Sequence, residues 1–196
     1  MYLKVNMAYL DDSQLQAMGF KSIGKNVKIS DKASIYNPES MMIGDYSRID
    51  DFCVISGNVT IGRFVHVAPL CLVAGGEKGV VLDDFSGLAY HAQVFSQSDD
   101  YSGGSLTNPT IPAKYKKEKK EAVFVGRHVI VGAGSIIFPG VTIEEGCSVG
   151  ALALVNKSTL PWGVYVGNPA RRVKERKKDM LRLEKEFLAE VSSDSI

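Results

Sequence analysis

The chain has 196 residues, of which 45% are hydrophobic and 23% charged, with a formal net charge of +1. That length suits one sizeable domain with a small appendage, and that composition suits a soluble globular protein. The near-zero charge excludes a nucleic-acid binder that relies on a strong basic field, and no run is apolar for long enough to span a bilayer.

The N-terminal residues MYLKVNMAYLDDS lack the apolar core of a signal peptide, so a bacterial-type cytoplasmic location is expected. Ser13 to Phe20, SQLQAMGF, predicts a short helix with Ser13 and Gln16 as its capping box and Gly19 at its stop. Residues 1–22 are expected to cap the open first unit of the segment that follows.

From Ile23 onward an aliphatic residue recurs every sixth position. The first set is Ile23, Ile29 and Ile35. After two extra residues come Ile43, Ile49, Ile55, Ile61, Val67 and Val73. Three more extra residues, near Gly75 and Gly76, precede Leu82, Leu88 and Val94. A long interruption then leads to Val125, Val131, Ile137, Ile143, Val149 and Val155, which makes eighteen hexads. The fourth residue after each aliphatic is small or β-branched: Val27, Ala33, Ser47, Cys53, Val65, Cys71, Ser98, Val129, Cys147 and others. All three cysteines occupy this slot, so they read as small buried fillers rather than a catalytic thiol or a disulfide framework.

Neither a helix nor an ordinary strand has a period of six. Two inward positions per hexad and a bend between hexads make one flat wall, and several walls must close around a shared core. Each unit then buries its apolar row only by stacking on the next, which is the signature of a β-helix. Glycine and aspartate beside the bends (Gly44, Asp45, Gly62, Gly126, Gly132, Gly146) suit tight turns.

After Val94 about twenty-five residues are inserted, polar and rich in glycine and proline. A loop of that length in a compact domain is usually functional, so the segment 97–122 is a candidate functional loop. Its run KKEKK (116–120) reads as solvated, and its Gly103-Gly104, like Gly75-Gly76, matches no phosphate-binding motif. Residues 173–196 predict an amphipathic C-terminal helix over Val173 to Val191, with Met180, Leu183, Phe187, Leu188 and Val191 on one face.

The pattern [LIV]-G-x-x-[SAVC]-x resembles the hexapeptide-repeat acyltransferases. The run VGNPARRV (166–173) matches the close of their sugar and xenobiotic acetyltransferase branch. GFKSIG, SQSDDYSG and VNKSTLPWGVYVGNPAR are similar to a narrower group. That group holds O-antigen acetyltransferases and dTDP-4-amino-4,6-dideoxyglucose acyltransferases. The resemblance implies an all-β solenoid: a left-handed parallel β-helix of about six coils over 23–172, with the extruded loop 97–122 and helices at both ends. It implies a homotrimer with sites between subunits, acetyl-CoA as co-substrate and no metal. The acceptor would be a nucleotide-linked sugar used in surface polysaccharide synthesis.

Acyl transfer from a thioester needs an acceptor lone pair, a destination for its proton and donors for the oxyanion. The family's usual histidine base closes the hexad before the loop, where this chain has Asp99. Candidates for the direct chemical role are therefore His66, Asp99 and His91, with His66 reading as an outward corner residue and His91 and His128 as mid-wall residues. His66 and Asp99 could meet across a subunit interface. An aspartate in the base slot favours an amino-sugar acceptor, because a free amine attacks without prior deprotonation. Asp100 and Tyr101 are candidate substrate contacts. By position the resemblance places coenzyme A along Ala133 and Ala151, with Asn156 and Lys157 near the adenine end and Arg171 and Lys174 near the phosphates. The rival readings are an O-acetyltransferase acting on a sugar hydroxyl, a non-enzymatic β-helix scaffold, and a γ-type carbonic anhydrase. The last needs three convergent histidines, which positions 66, 91 and 128 do not provide.

Overall fold

The computed structural model describes residues 9–193. The first helix, α1, spans Asp12–Ala17. Its cap is Asp11 rather than Ser13: the Asp11 carboxylate accepts from the Gln14 backbone N–H, and the Gln14 side chain accepts from the Asp11 N–H. An ionised cap outbids a hydroxyl two residues on, and Ser13 Oγ instead donates to Asp11 at 2.7 Å. Leu15 is the buried residue of this helix.

From Ser22 the chain coils into a parallel β-solenoid of about seven turns, one more than the hexad count implied. Three walls carry the eighteen aliphatics in strict register. The first wall stacks Ile23 on Ile43, Ile61, Leu82, Val125 and Ile143. The second stacks Ile29 on Ile49, Val67, Leu88, Val131 and Val149, and Tyr165 adds the extra rung. The third stacks Ile35 on Ile55, Val73, Val94, Ile137 and Val155. All but the end residues Ile23 and Ile35 are buried. Each buried aliphatic contributes about 1.5–3 kcal/mol, which is how two- and three-residue strands hold.

The bends fall one step away from where the hexad reading put them. The third residue after most of the aliphatics takes the left-handed conformation, as at Tyr46 (φ 59°), Phe64 (57°), Phe85 (58°), His91 (60°) and His128 (59°). Corners therefore project large side chains outward, and His91 and His128 are corner residues rather than mid-wall ones. His66, read as a corner, starts a strand of the second wall. The small residue after each corner is buried and often bonds to the next coil: Ser47 Oγ donates to the Gly62 carbonyl at 2.7 Å, and Cys53 and Cys71 Sγ donate to the Ala68 and Ala89 carbonyls at 3.1 Å. All three cysteines are buried. Ser98 departs from this pattern, because it lies in the stem of the loop.

Every departure from period six occurs where the chain passes from the third wall to the first. Along that edge lie the turn at Pro38–Ser40, the glycine bend where Gly57 pairs with Gly76, and the long loop. Gly57 has φ 73°, and a Cβ there would stand 2.6 Å from the Gly76 nitrogen, so the bend admits no side chain. The loop leaves on an antiparallel ribbon of Gln97–Ser98 with Lys119–Lys120. KKEKK is more engaged than expected: Lys116 pairs with Glu118 at 2.9 Å and Lys120 with Glu77 at 3.3 Å.

The C-terminal segment differs from the single helix expected. Arg171–Glu175 forms a strand antiparallel to Gly163–Val166, and the helix, α2, spans Met180–Ser193. The strand closes the last coil, satisfying backbone groups a helix would leave open. Helix α2 folds back on the corner between the first and second walls. There Tyr46, Phe64, Phe85, His128 and Trp162 form a ring ladder with successive centroids 5.0, 4.9, 5.3 and 6.5 Å apart. Phe187 meets Phe64 and Phe85 edge-on, and Glu184 bonds to His128 Nε2 at 2.8 Å and pairs with Arg127. Burial and the Arg127 charge push the His128 pKa down.

Candidate active site

His66 lies on the outer face of the second wall, between its register partners Arg48 and Gly87. Behind it is Asp50, buried with only 6% of its side chain exposed. His66 Nε2 is 2.7 Å from Asp50 Oδ2. Arg48 donates to the same carboxylate through Nε at 2.6 Å and Nη2 at 2.8 Å, and the Tyr9 hydroxyl donates at 3.1 Å. Burial alone would raise the Asp50 pKa. The bonds from Arg48, His66 and Tyr9 outweigh it and hold it at about 2. An ionised carboxylate only accepts, so a neutral His66 carries its proton on Nε2 and keeps the Nδ1 lone pair. Half of the His66 side chain remains exposed. The result is an oriented Asp–His dyad on an open wall.

Sequence reasoning missed Asp50, Arg48 and Tyr9. One signal was available: Arg48 and Asp50 flank the inward Ile49 and His66 immediately precedes the inward Val67, so their stacking on one outer face follows from the repeat itself.

The other candidates disperse. His91 is exposed at the corner between the second and third walls. Asp99 stands past the third wall, where its carboxylate accepts from the Asn108 N–H at 3.3 Å. Within one chain the solenoid core separates that edge from the His66 face. Asp100 is spent on the loop itself, accepting from the Ser102 N–H and the Ser105 hydroxyl, both at 2.9 Å. Tyr101 is 91% exposed. Ala133 and Ala151 stack on the same corner as His91, one and two coils further along, with the Leu152 N–H bonded to the Ala133 carbonyl. The VGNPAR turn hooks over this end, where the Ala170 N–H bonds to the Leu154 carbonyl. Asn156 and Lys157 are exposed beyond the third wall, and Arg171 and Lys174 are exposed on the closing strand.

A concavity of about 680 Å³ lies elsewhere, on the loop edge among Lys21, Asn37, Glu39, Gly57, Asn58 and Gly76. No candidate catalytic residue lines it. Among the described residues no three His, Cys, Asp or Glu side chains converge as a metal site would require.

No protein-family model matches the chain. The chain is 42% identical over 193 residues to the dTDP-4-amino-4,6-dideoxy-D-glucose acyltransferase of Escherichia coli, covering 97% of this chain and 100% of that one. AntD, an N-acyltransferase from Bacillus cereus, has been solved with dTDP and 3-hydroxybutyryl-CoA. It superposes with a TM-score of 0.93 at 46% identity over 94% of this chain and 98% of that chain. A serine-to-alanine variant of AntD, solved with dTDP-4-amino-4,6-dideoxyglucose and coenzyme A, superposes with a TM-score of 0.92 at 48% identity, over 93% and 98%.

Proposed function

The chain belongs to the dTDP-4-amino-4,6-dideoxy-D-glucose acyltransferase family, and from that premise we propose that it moves an acetyl group from acetyl-CoA to the amino group of a dTDP-linked 4-amino-4,6-dideoxy sugar. The observation that carries the reading is the likeness over nearly the whole chain to an N-acyltransferase that binds this sugar nucleotide with coenzyme A. The same solenoid with a neutral outer face would do as a scaffold. The buried Asp50 behind His66 has no use there.

In the proposed reaction the free amine attacks the thioester carbonyl, and a C–N bond forms. His66 Nδ1 takes the proton that the nitrogen loses, and Asp50 stabilises the resulting imidazolium. The C–S bond breaks, and the departing thiolate is protonated as coenzyme A. Asp99 binds the amine from the loop of a neighbouring subunit in a homotrimer, with Asp100 shaping the loop, Tyr101 reaching the sugar and His91 flanking the thioester. Coenzyme A runs along the Ala133 and Ala151 corner, with Arg171 and Lys174 on its phosphates and Asn156 and Lys157 at the adenine end. The trimer is supported by the apolar residues left open on that corner, Phe52, Leu70 and Leu152, and by Tyr90 beside them. The proposed setting is the cytoplasm, supplying surface polysaccharide synthesis. Among the described residues no helix is long and apolar enough to cross a membrane.

The Asp–His dyad also favours a second reading, because a sugar hydroxyl needs a base more than an amine does. The test is thiol release from acetyl-CoA with dTDP-linked 4-amino and 3-amino sugars beside matched hydroxyl sugars. Turnover restricted to the 4-amino sugar is expected. Turnover with the hydroxyl sugars moves the assignment to O-acetylation, and inactivity on the panel removes both readings.

A further inference from the structure

The formal charge of +1 is the difference between two unlike parts. Residues 146–178 hold seven of the chain's 23 lysines and arginines and one of its 22 aspartates and glutamates, which makes them +6. The remaining sixteen cations and twenty-one carboxylates make the rest of the chain −5. The seven cations lie on the last coil, on the closing strand Arg171–Glu175 and on the turn into α2. That strand is the terminal one of the second-wall sheet, so the positive charge is gathered at one end of the solenoid.

One of the seven is committed to the fold. Arg176 Nη1 donates to the carbonyls of His128, Gly146 and Cys147 at 2.6, 3.0 and 3.1 Å, which pins the turn to the corner beneath it. Arg172 pairs with Glu175 at 2.6 Å. Lys157, Arg171, Lys174, Lys177 and Lys178 are exposed and have no ion-pair partner among the described residues. The proposed coenzyme A contacts use the first three, and Lys177 and Lys178 have no place in that site. Among these cations stand three exposed aliphatics, Leu160 (64%), Val166 (39%) and Val173 (56%). Val166 is the register partner of Arg171, and Val173 lies between Arg172 and Lys174.

We infer that this end of the solenoid is a docking surface for an anionic phospholipid bilayer, held peripherally and with no helix inserted. Charge complementarity and the mixture of side chains identify the occupant. A bilayer offers phosphates to the ammonium groups and, just beneath them, an acyl boundary for aliphatic side chains. A nucleic acid would match the cations but leave Leu160, Val166 and Val173 in water, because it is held by phosphate contacts and aromatic stacking. The −5 on the remainder sets the orientation. It is repelled by the same surface, so the molecule stands end-on. His66 lies on a side wall and stays open to soluble substrates. The inference goes beyond the acyl-transfer reading and is independent of the acceptor.

The test is co-sedimentation of the full chain with vesicles of phosphatidylcholine alone and of phosphatidylcholine mixed with phosphatidylglycerol. Wild type is expected on the mixed vesicles and not on the neutral ones, with binding that weakens as salt rises. The double variant Lys177→Ala/Lys178→Ala should bind the mixed vesicles about tenfold more weakly, and Leu160→Ser severalfold more weakly. Thermal melting checks that both are folded, and their KM for acetyl-CoA should match wild type. The loop variant Lys114→Ala/Lys117→Ala removes the same charge elsewhere and should bind as wild type does. No binding to the mixed vesicles, equal binding to both kinds, or wild-type binding by the folded Lys177→Ala/Lys178→Ala protein overturns the surface. Release from the vesicles by saturating coenzyme A also overturns it, because the cations then belong to the transfer site.

Discussion

The first three and the last three coils share one interior and differ on one outer face. Inside, Ile29, Ile49 and Val67 do the same work as Val131 and Val149, stacked in the same register and equally buried. Outside, the early coils present Lys28, Arg48, Asp50 and His66, whereas the late coils present Ile130, Gly132, Ser148 and Gly150. One half of the wall carries charge, and the other is neutral. In a solenoid the inward rows are bound by packing, so the outward rows are free to vary, and chemistry accumulates there.

That contrast can be broken most sharply at His66. His66→Ala should lower kcat about 10²- to 10⁴-fold with little change in melting, the usual contribution of a positioned base. A pH–rate profile identical to that of wild type would remove His66 from proton transfer. The inward rows make the converse case. Ile49→Ala and Ile143→Ala should each cost about 2–5 kcal/mol in denaturant unfolding, and similar amounts in both halves. A much smaller loss at one of them would mean that the two halves do not share one cooperative core.

Asp50 links the faces, since it is buried yet serves the surface. Its pKa is lowered from 3.8 to about 2. A depressed carboxylate stabilises the fold above its unfolded pKa, and that stability is lost as pH falls from 3.8 through 2. Asp50→Asn should therefore cost roughly 2 kcal/mol at pH 6, and the gap to wild type should close in urea melts taken toward pH 2. A gap independent of pH would show that packing, not charge, makes the difference. The smallest expected effect is in the late coils, where Arg171→Ala should raise the KM for acetyl-CoA about tenfold and leave the acceptor KM alone. A change confined to the acceptor would reverse the assignment of the two halves.

Much of the solenoid was legible because a stacked repeat writes its geometry into the spacing. Each coil must present the same inward residues to the next, so the eighteen aliphatics marked the buried rows without any knowledge of distant contacts, while the three-walled section came from the family resemblance. The interruptions were legible too, although their shared location was not drawn from them. They follow the third, ninth and twelfth hexads, all multiples of three, which puts them on one edge of a three-walled prism. Helix boundaries were less legible. Asp11 outcompeted Ser13 as a cap, and Arg171–Glu175 went to an antiparallel strand because the open end of the last coil offered it hydrogen bonds.

The sequence by itself determined the period, the buried rows, the inert cysteines and the family. Each depends on residues repeating at fixed intervals along the chain. Only the tertiary structure decided which histidine has a partner, because His66 and Asp50 are sixteen residues apart and meet through the pitch of one coil. It likewise decided that His128 belongs to the α2 contact, through a bond to Glu184 from fifty-six residues away. Local spacing sets which way a side chain points, but its partners come from the coil above, the coil below and whatever folds back on them.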